Sequence, residues 1–146
     1  MRVVQGGLHH LDVLGPLFDA YRVFYEQVSD LAAARAFLHE RLSGLESVIF
    51  LAFVGDDPAG FTQLYPTFSS VSLGRTWLLN DLYVAPEQRG GGVGEALLRR
   101  AATFAAQTGA LRLNLQTATD NEPAQRLYER LGWRRNEAFY QYDLPV

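Results

Sequence analysis

The chain has 146 residues, 48% of them hydrophobic, a net charge of −3 and a pI near 5.5. This is length enough for one domain, residues 1–146, with a real core, and a mildly acidic balance argues against a broad nucleic-acid surface. The absence of cysteine excludes disulfides, thiolate metal sites and a cysteine acyl-enzyme. His9, His10 and His39 form no metal-ligand spacing, so no metal is expected. Nothing at the N-terminus reads as a signal peptide, and no apolar run is long enough to span a bilayer. The expectation is a cytoplasmic protein without a membrane partner.

In chain order, Arg-Val-Val-Gln at 2–5 is a candidate first strand, ended by Gly6 and Gly7. From Leu8, apolar residues recur at spacings of three and four through Tyr25, the pattern of a helix with one buried face. Gly15-Pro16 lies inside it, which predicts a kink or break. Ser29 is the expected cap of a second helix over 30–42, with Leu31, Ala34, Phe37, Leu38 and Leu42 inward and Gly44 as its stop.

From Ser47 the period changes. Residues 48–54 are apolar throughout, as in a strand covered on both faces. Gly55 to Pro58 reads as a turn, with 59–68 returning as a hairpin partner. Residues 74–84 form the next strand. A helix follows over 93–108, with Val93, Ala96, Leu97, Ala101, Phe104 and Ala105 inward and Arg99 and Arg100 outward. Leu111, Leu113 and Leu115 alternate with polar residues as a half-buried strand. Asp120 or Asn121 caps a short helix with Pro123 in its first turn, and 139–144 reads as a final strand. The order β-α-α-β-β-β-α-β-α-β describes an α/β domain around a mixed, mostly antiparallel sheet flanked by helices.

One stretch organises the rest. The strand ending in Leu82, Tyr83 and Val84 crosses Pro86 and a glycine-rich loop into a helix, at Arg89-Gly90-Gly91-Gly92-Val93-Gly94-Glu95. Such a loop presents backbone N–H groups at the positive end of a helix dipole, a natural seat for phosphate. A P-loop requires Gly-Lys-Ser/Thr, and Gly94 is followed by Glu95 and Ala96. The dinucleotide pattern G-x-G-x-x-G also fails, because its third glycine would be Glu95 or Leu97.

What the stretch resembles is the Arg-x-x-Gly-x-Gly pyrophosphate loop of the GNAT superfamily of N-acetyltransferases. A second segment is similar to that family: Asn121-Glu122-Pro123-Ala124, followed by Tyr128 before Gly132-Trp133. Asn121 and Tyr128 are two helical turns apart and share a face. Leu79 to Val84 and 121–124 look most like the spermidine/spermine type of small-amine acetyltransferases. In those relatives an acidic pair precedes the pantetheine strand. Here the first position is Asn80, which cannot act as a base.

The resemblance implies acetyl-CoA as cosubstrate and a small primary amine as acceptor, joined directly in a ternary complex. It places Asp81, or a water held by Asp81 and Asn80, as proton acceptor, and Tyr128 as acid for the CoA thiolate. It places the pantetheine against Leu82, Tyr83, Val84 and the Asn121, Glu122, Pro123 and Ala124 segment. The pyrophosphate falls to Arg89 and the N–H groups from Gly90 through Gly91, Gly92, Val93 and Gly94 to Glu95. Arg22 is a candidate contact for a substrate carboxylate, or simply a solvated helix residue. A protein lysine or N-terminal acceptor, and a non-catalytic acetyl-CoA-binding module, are the alternatives. Similar proteins dimerise, and Phe139-Tyr140-Gln141-Tyr142 is a candidate for such an interface or for an internal strand.

Overall fold

The computed structural model describes all residues, Met1 to Val146, and they divide into two compact units, Met1–Leu115 and Gln116–Val146. The first unit holds a five-stranded sheet in sequential order: β1 (Arg2–Gln5), β2 (Val48–Val54), β3 (Asp57–Ser69), β4 (Gly74–Val84) and β5 (Arg112–Asn114). The first four strands are antiparallel neighbours, and β5 joins β4 in parallel. A parallel neighbour needs a crossover, which is supplied by helix α3 (Val93–Gln107).

Helices α1 (Leu11–Phe24) and α2 (Leu31–Ser43) cover one face. Their Leu11, Leu14, Leu17, Phe18, Ala34 and Leu38 bury against Ile49, Leu51, Phe61, Tyr83 and Ala85. The other face meets α3, where the Phe104 ring lies 5.4 Å from Phe50 and 5.0 Å from Trp77. Strand β2 therefore sends Ile49 and Leu51 one way and Phe50 the other, which is why its sequence is apolar throughout.

Four local expectations are corrected. Helix α1 runs unbroken through Pro16; the carbonyl that loses its partner there belongs to exposed Asp12, where water can replace the bond. The α2 cap is Asp30, whose side chain accepts from the Ala33 N–H (3.0 Å), while Ser29 donates to Asp19 (2.6 Å). Arg100 is not a solvated residue, because its guanidinium sits 4.5 Å over the Phe50 ring. Leu98, left off the expected inward face of α3, is buried with Leu97.

The second unit contains α4 (Glu122–Arg130), capped by Asn121 accepting from the Ala124 N–H (3.4 Å). The expected last strand is absent: 139–144 has no ladder partner, and Tyr140 and Tyr142 are more than 90% exposed. A strand is stable only within a ladder that pairs its backbone groups, and the tail has none.

Gly60 on β3 shows how closely the strands approach near the site. A Cβ there would lie 2.5 Å from the Tyr83 carbonyl oxygen and 3.2 Å from the Val84 Cα. Gly60→Ala is expected to cost about 1–3 kcal/mol, as overpacking does, read as a lower urea midpoint with an unchanged m value.

Candidate active site

The site is built on an irregularity in β4. Pairing runs in register from Gly60↔Val84 to Gln63↔Asp81 and then resumes at Leu64↔Leu79, so Asn80 is an extra residue, a β-bulge. Side chains two apart in a strand share a face, yet Trp77 packs on α3 while the Tyr83 ring lies 5.9 Å from Tyr21 on α1. The bulge reverses the alternation between them. It turns Asp81 toward α1 instead of toward the α3 core.

Asp81 is 5% exposed, and its carboxylate is held from three elements. Gln63 Nε2 on β3 donates to Oδ2 (2.8 Å), Asn80 Nδ2 donates to Oδ1 (3.1 Å), and the Tyr21 phenol of α1 also engages it. The Asp81 backbone carbonyl accepts from Thr62 Oγ1 (2.8 Å). Burial pushes the carboxyl pKa above its usual range, and the Gln63, Tyr21 and Asn80 hydrogen bonds pull part of that back. Burial beside the same carboxylate raises Tyr21, and pushes Tyr65 up to about 12, so both phenols stay neutral donors at physiological pH. A carboxylate so placed is a stronger base than a free one.

Beyond Leu78, β4 has no pairing to β5. Its 79–84 stretch therefore offers one edge of backbone N–H and C=O groups to a ligand. Past Val84, the chain turns through Pro86–Gln88 into the glycine loop. Gly90 (φ 80°) and Gly92 (φ 84°) are left-handed, the conformation glycine adopts at no steric cost. Gly92 is the N-cap of α3 and offers no side chain. The helical ladder begins with Ala96 donating to the Gly92 carbonyl (3.0 Å), so the N–H groups of Val93 and Gly94 precede it.

Comparison with known proteins decides the family. The family model described as acetyltransferase (GNAT) family matches residues 14–133. The chain is 47% identical over its full length to the uncharacterized N-acetyltransferase YhfO of Bacillus subtilis, covering 98% of that protein. It is 31% identical to a probable acetyltransferase of Haemophilus influenzae, over 88% of this chain and 97% of that one. A crystal structure of a probable acetyltransferase superposes with a TM-score of 0.95 at 49% identity, covering 100% and 98% of the two chains. The chain belongs to the GNAT acetyltransferase family.

A GNAT enzyme uses acetyl-CoA, and the residues present fit it. The αL glycines and the uncapped α3 terminus form a cradle for an anion. A side chain at Gly90 would meet no atom within 4 Å, so backbone conformation, not space, requires glycine there. Gly92→Ala is expected to cost about 1–2 kcal/mol, the penalty of placing a Cβ in αL, and to raise the KM for acetyl-CoA. A melting curve and a cofactor titration read the two effects.

The remaining predicted residues are placed as follows. Leu82, Tyr83 and Val84 lie on the unpaired stretch of β4, and Asn80 and Asp81 are brought together. Arg89 turns back, its Nε donating to the Val84 carbonyl (3.0 Å) and its guanidinium over Phe24 (5.3 Å) and Tyr83 (5.7 Å). Glu95 pairs with Arg99 (2.9 Å). Arg22 donates to the Val28 carbonyl (3.5 Å), within the α1–α2 connection. In the second unit, Asn121, Glu122, Pro123 and Ala124 form the start of α4. Tyr128 is half-buried on α4, with its ring 6.1 Å from Trp133. No helix is long and apolar enough to cross a membrane.

Sequence reasoning missed Gln63, Tyr21 and Tyr65. The signal for Gln63 was present: an amide between Phe61 and Leu64 in a strand expected to be a hairpin partner asks for a buried partner. A cavity of about 390 Å³ between α1 and the end of β4 also went unread, its walls including Val13, Leu17, Ala20 and Tyr83.

Proposed function

We propose that this acetyltransferase moves acetyl from acetyl-CoA to a small primary amine by direct attack in a ternary complex, all 146 residues serving one catalytic domain. The observation that carries the reading is the Asp81 carboxylate, buried on the strand that leads into the glycine loop. An alkyl ammonium has a pKa of about 10.4, so it must lose a proton before its nitrogen can attack. Asp81, directly or through a water shared with Asn80, accepts that proton.

Acetyl-CoA supplies the activated acetyl thioester. The Leu82 to Val84 backbone would hold the pantetheine arm and would supply a hydrogen-bond donor to the thioester carbonyl. The loop from Arg89 to Glu95 holds the pyrophosphate, Arg89 leaving Phe24 and Tyr83 or reaching out from them. In the second unit, Asn121 and the first turn of α4 would hold the pantetheine, and Tyr128 would be the proton donor for the CoA thiolate.

An acceptor without a carboxylate is the reading we adopt, as in the spermidine/spermine-type pattern that Leu79 to Val84 resembles. The test is release of CoA thiol from acetyl-CoA against polyamines, diamines, amino acids and a basic peptide. The chain lacks cysteine, so it contributes no thiol background. Turnover with polyamines or diamines is the expected result. Turnover with the basic peptide alone would replace the small-amine reading, and acetyl-CoA binding without turnover on any amine would overturn catalysis of amine transfer.

A further inference from the structure

The geometry points to Gln63 as the positioning residue of the reaction: its side-chain amide fixes the Asp81 carboxylate in place and keeps it ionised for the amine. This rests on the reading of Asp81 as proton acceptor.

Gln63 is 0% exposed, in the middle of β3, with Thr62 and Leu64 on either side also buried. Its Nε2 donates to Asp81 Oδ2 at 2.8 Å, while its Oε1 is buried and meets no hydrogen-bond partner within the protein. Leaving an acceptor unsatisfied in the core is unfavourable, and a leucine or methionine would fill the same volume without that cost. A glutamine here makes sense only through what its donor end does.

The bulge at Asn80 supplies the rest of the logic. It sets Gln63 and Asp81 directly opposite each other, so the amide meets the carboxylate across the ladder and fixes which oxygen is already occupied. The other groups facing Asp81 are the Tyr21 phenol from α1 and the Asn80 amide from β4 itself. Tyr65 from β3 stands near it as a neutral phenol, with Arg41 of α2 acting on Tyr65. Asn80 is exposed, so its amide can exchange with water. The Gln63 bond is buried, between a 0% and a 5% exposed side chain.

The sign of the effect follows. Gln63 donates to the charged form and so favours it. Removing the donor leaves burial less opposed, and Asp81 then holds its proton to higher pH. The experiment is the pH profile of kcat/KM for wild type, Gln63→Met and Gln63→Glu, with acetyl-CoA and an amine identified in the thiol-release panel. For Gln63→Met the acid limb is expected to move up by about one to two pH units, the worth of a hydrogen bond to a charged group. Its rate should return toward wild type at high pH, with the KM for acetyl-CoA unchanged. Gln63→Glu, which places a second carboxyl beside the first, should move the limb further.

A uniform loss of activity at every pH, with the limb unmoved, would mean that Gln63 only supports the fold and would overturn the proposal. Should Gln63→Met fail to fold, Gln63→Glu decides by the same limb. A carbon-13 titration of the Asp81 carboxyl in these variants reads the same shift without turnover. Asp81→Asn separates the two readings: full activity in it removes the role of Asp81. An inactive Asp81→Asn beside an unshifted Gln63→Met removes only the role of Gln63.

Discussion

Asp81→Asn is expected to lower kcat by about 10²–10⁴-fold, the range that general acid–base catalysis supplies, and to raise the melting temperature at pH 8. Both follow from one buried carboxylate. Asparagine keeps the size and an oxygen acceptor for Gln63 but cannot take a proton. The stability effect has a definite sign. Because burial holds the folded pKa above the ordinary 3.8, the contribution of Asp81 to stability is fully present below that value. It is lost as the pH rises through the folded pKa. At pH 8 the wild type carries an anion in a low-dielectric setting, and the variant does not. The melting-temperature gap should therefore close toward pH 4. A variant that loses activity and is also less stable at pH 8 would show that Asp81 is a structural anchor, not a poised base.

Tyr128→Phe is expected to lower kcat by about 10²–10⁴-fold while leaving the KM for acetyl-CoA near wild type. The ring contact with Trp133 (6.1 Å) needs only the ring, and the Tyr128 carbonyl that accepts from Leu131 and Trp133 is backbone. Phenylalanine preserves both. What it removes is the hydroxyl, which in the proposed mechanism would supply the proton to the departing sulfur as the thioester breaks. The loss belongs in kcat and not in cofactor binding. Wild-type turnover in Tyr128→Phe would end the assignment, and a large fall in cofactor affinity would move Tyr128 to a binding role.

How far the sequence reaches is clearest along β4. Its strand character, its termination before Pro86 and its run into the glycine loop were all legible, because each depends on local chemistry: β-branched and aromatic residues, a fixed proline φ, glycines at left-handed positions. The bulge was not. Trp77 and Tyr83 have the same parity, so a regular strand would place them and Asp81 on one face. Whether one residue loops out is settled by packing of α1 and α3 on opposite sides of the sheet, which no window of β4 encodes. The partners of Asp81 were hidden for the same reason, since Gln63 lies 18 residues away and meets it only through that register.

Helix α1 and the tail show the limit of local rules in the other direction. Gly15-Pro16 reads as a break, but Leu14, Leu17 and Phe18 bury so completely that the lost hydrogen bond is tolerated. Residues 139–144 read as a strand by composition, yet pairing is a property of neighbours, and none is present.

In the proposed mechanism Asp81 removes a proton from the acceptor. The measurement that tests this most directly compares kcat of wild type and Asp81→Asn on two amines matched in size, one strongly basic and one with a pKa below the assay pH. The weakly basic amine arrives already neutral, so the defect of the variant should shrink by at least an order of magnitude with it. An equal defect with both amines would contradict the role of Asp81 as the proton acceptor.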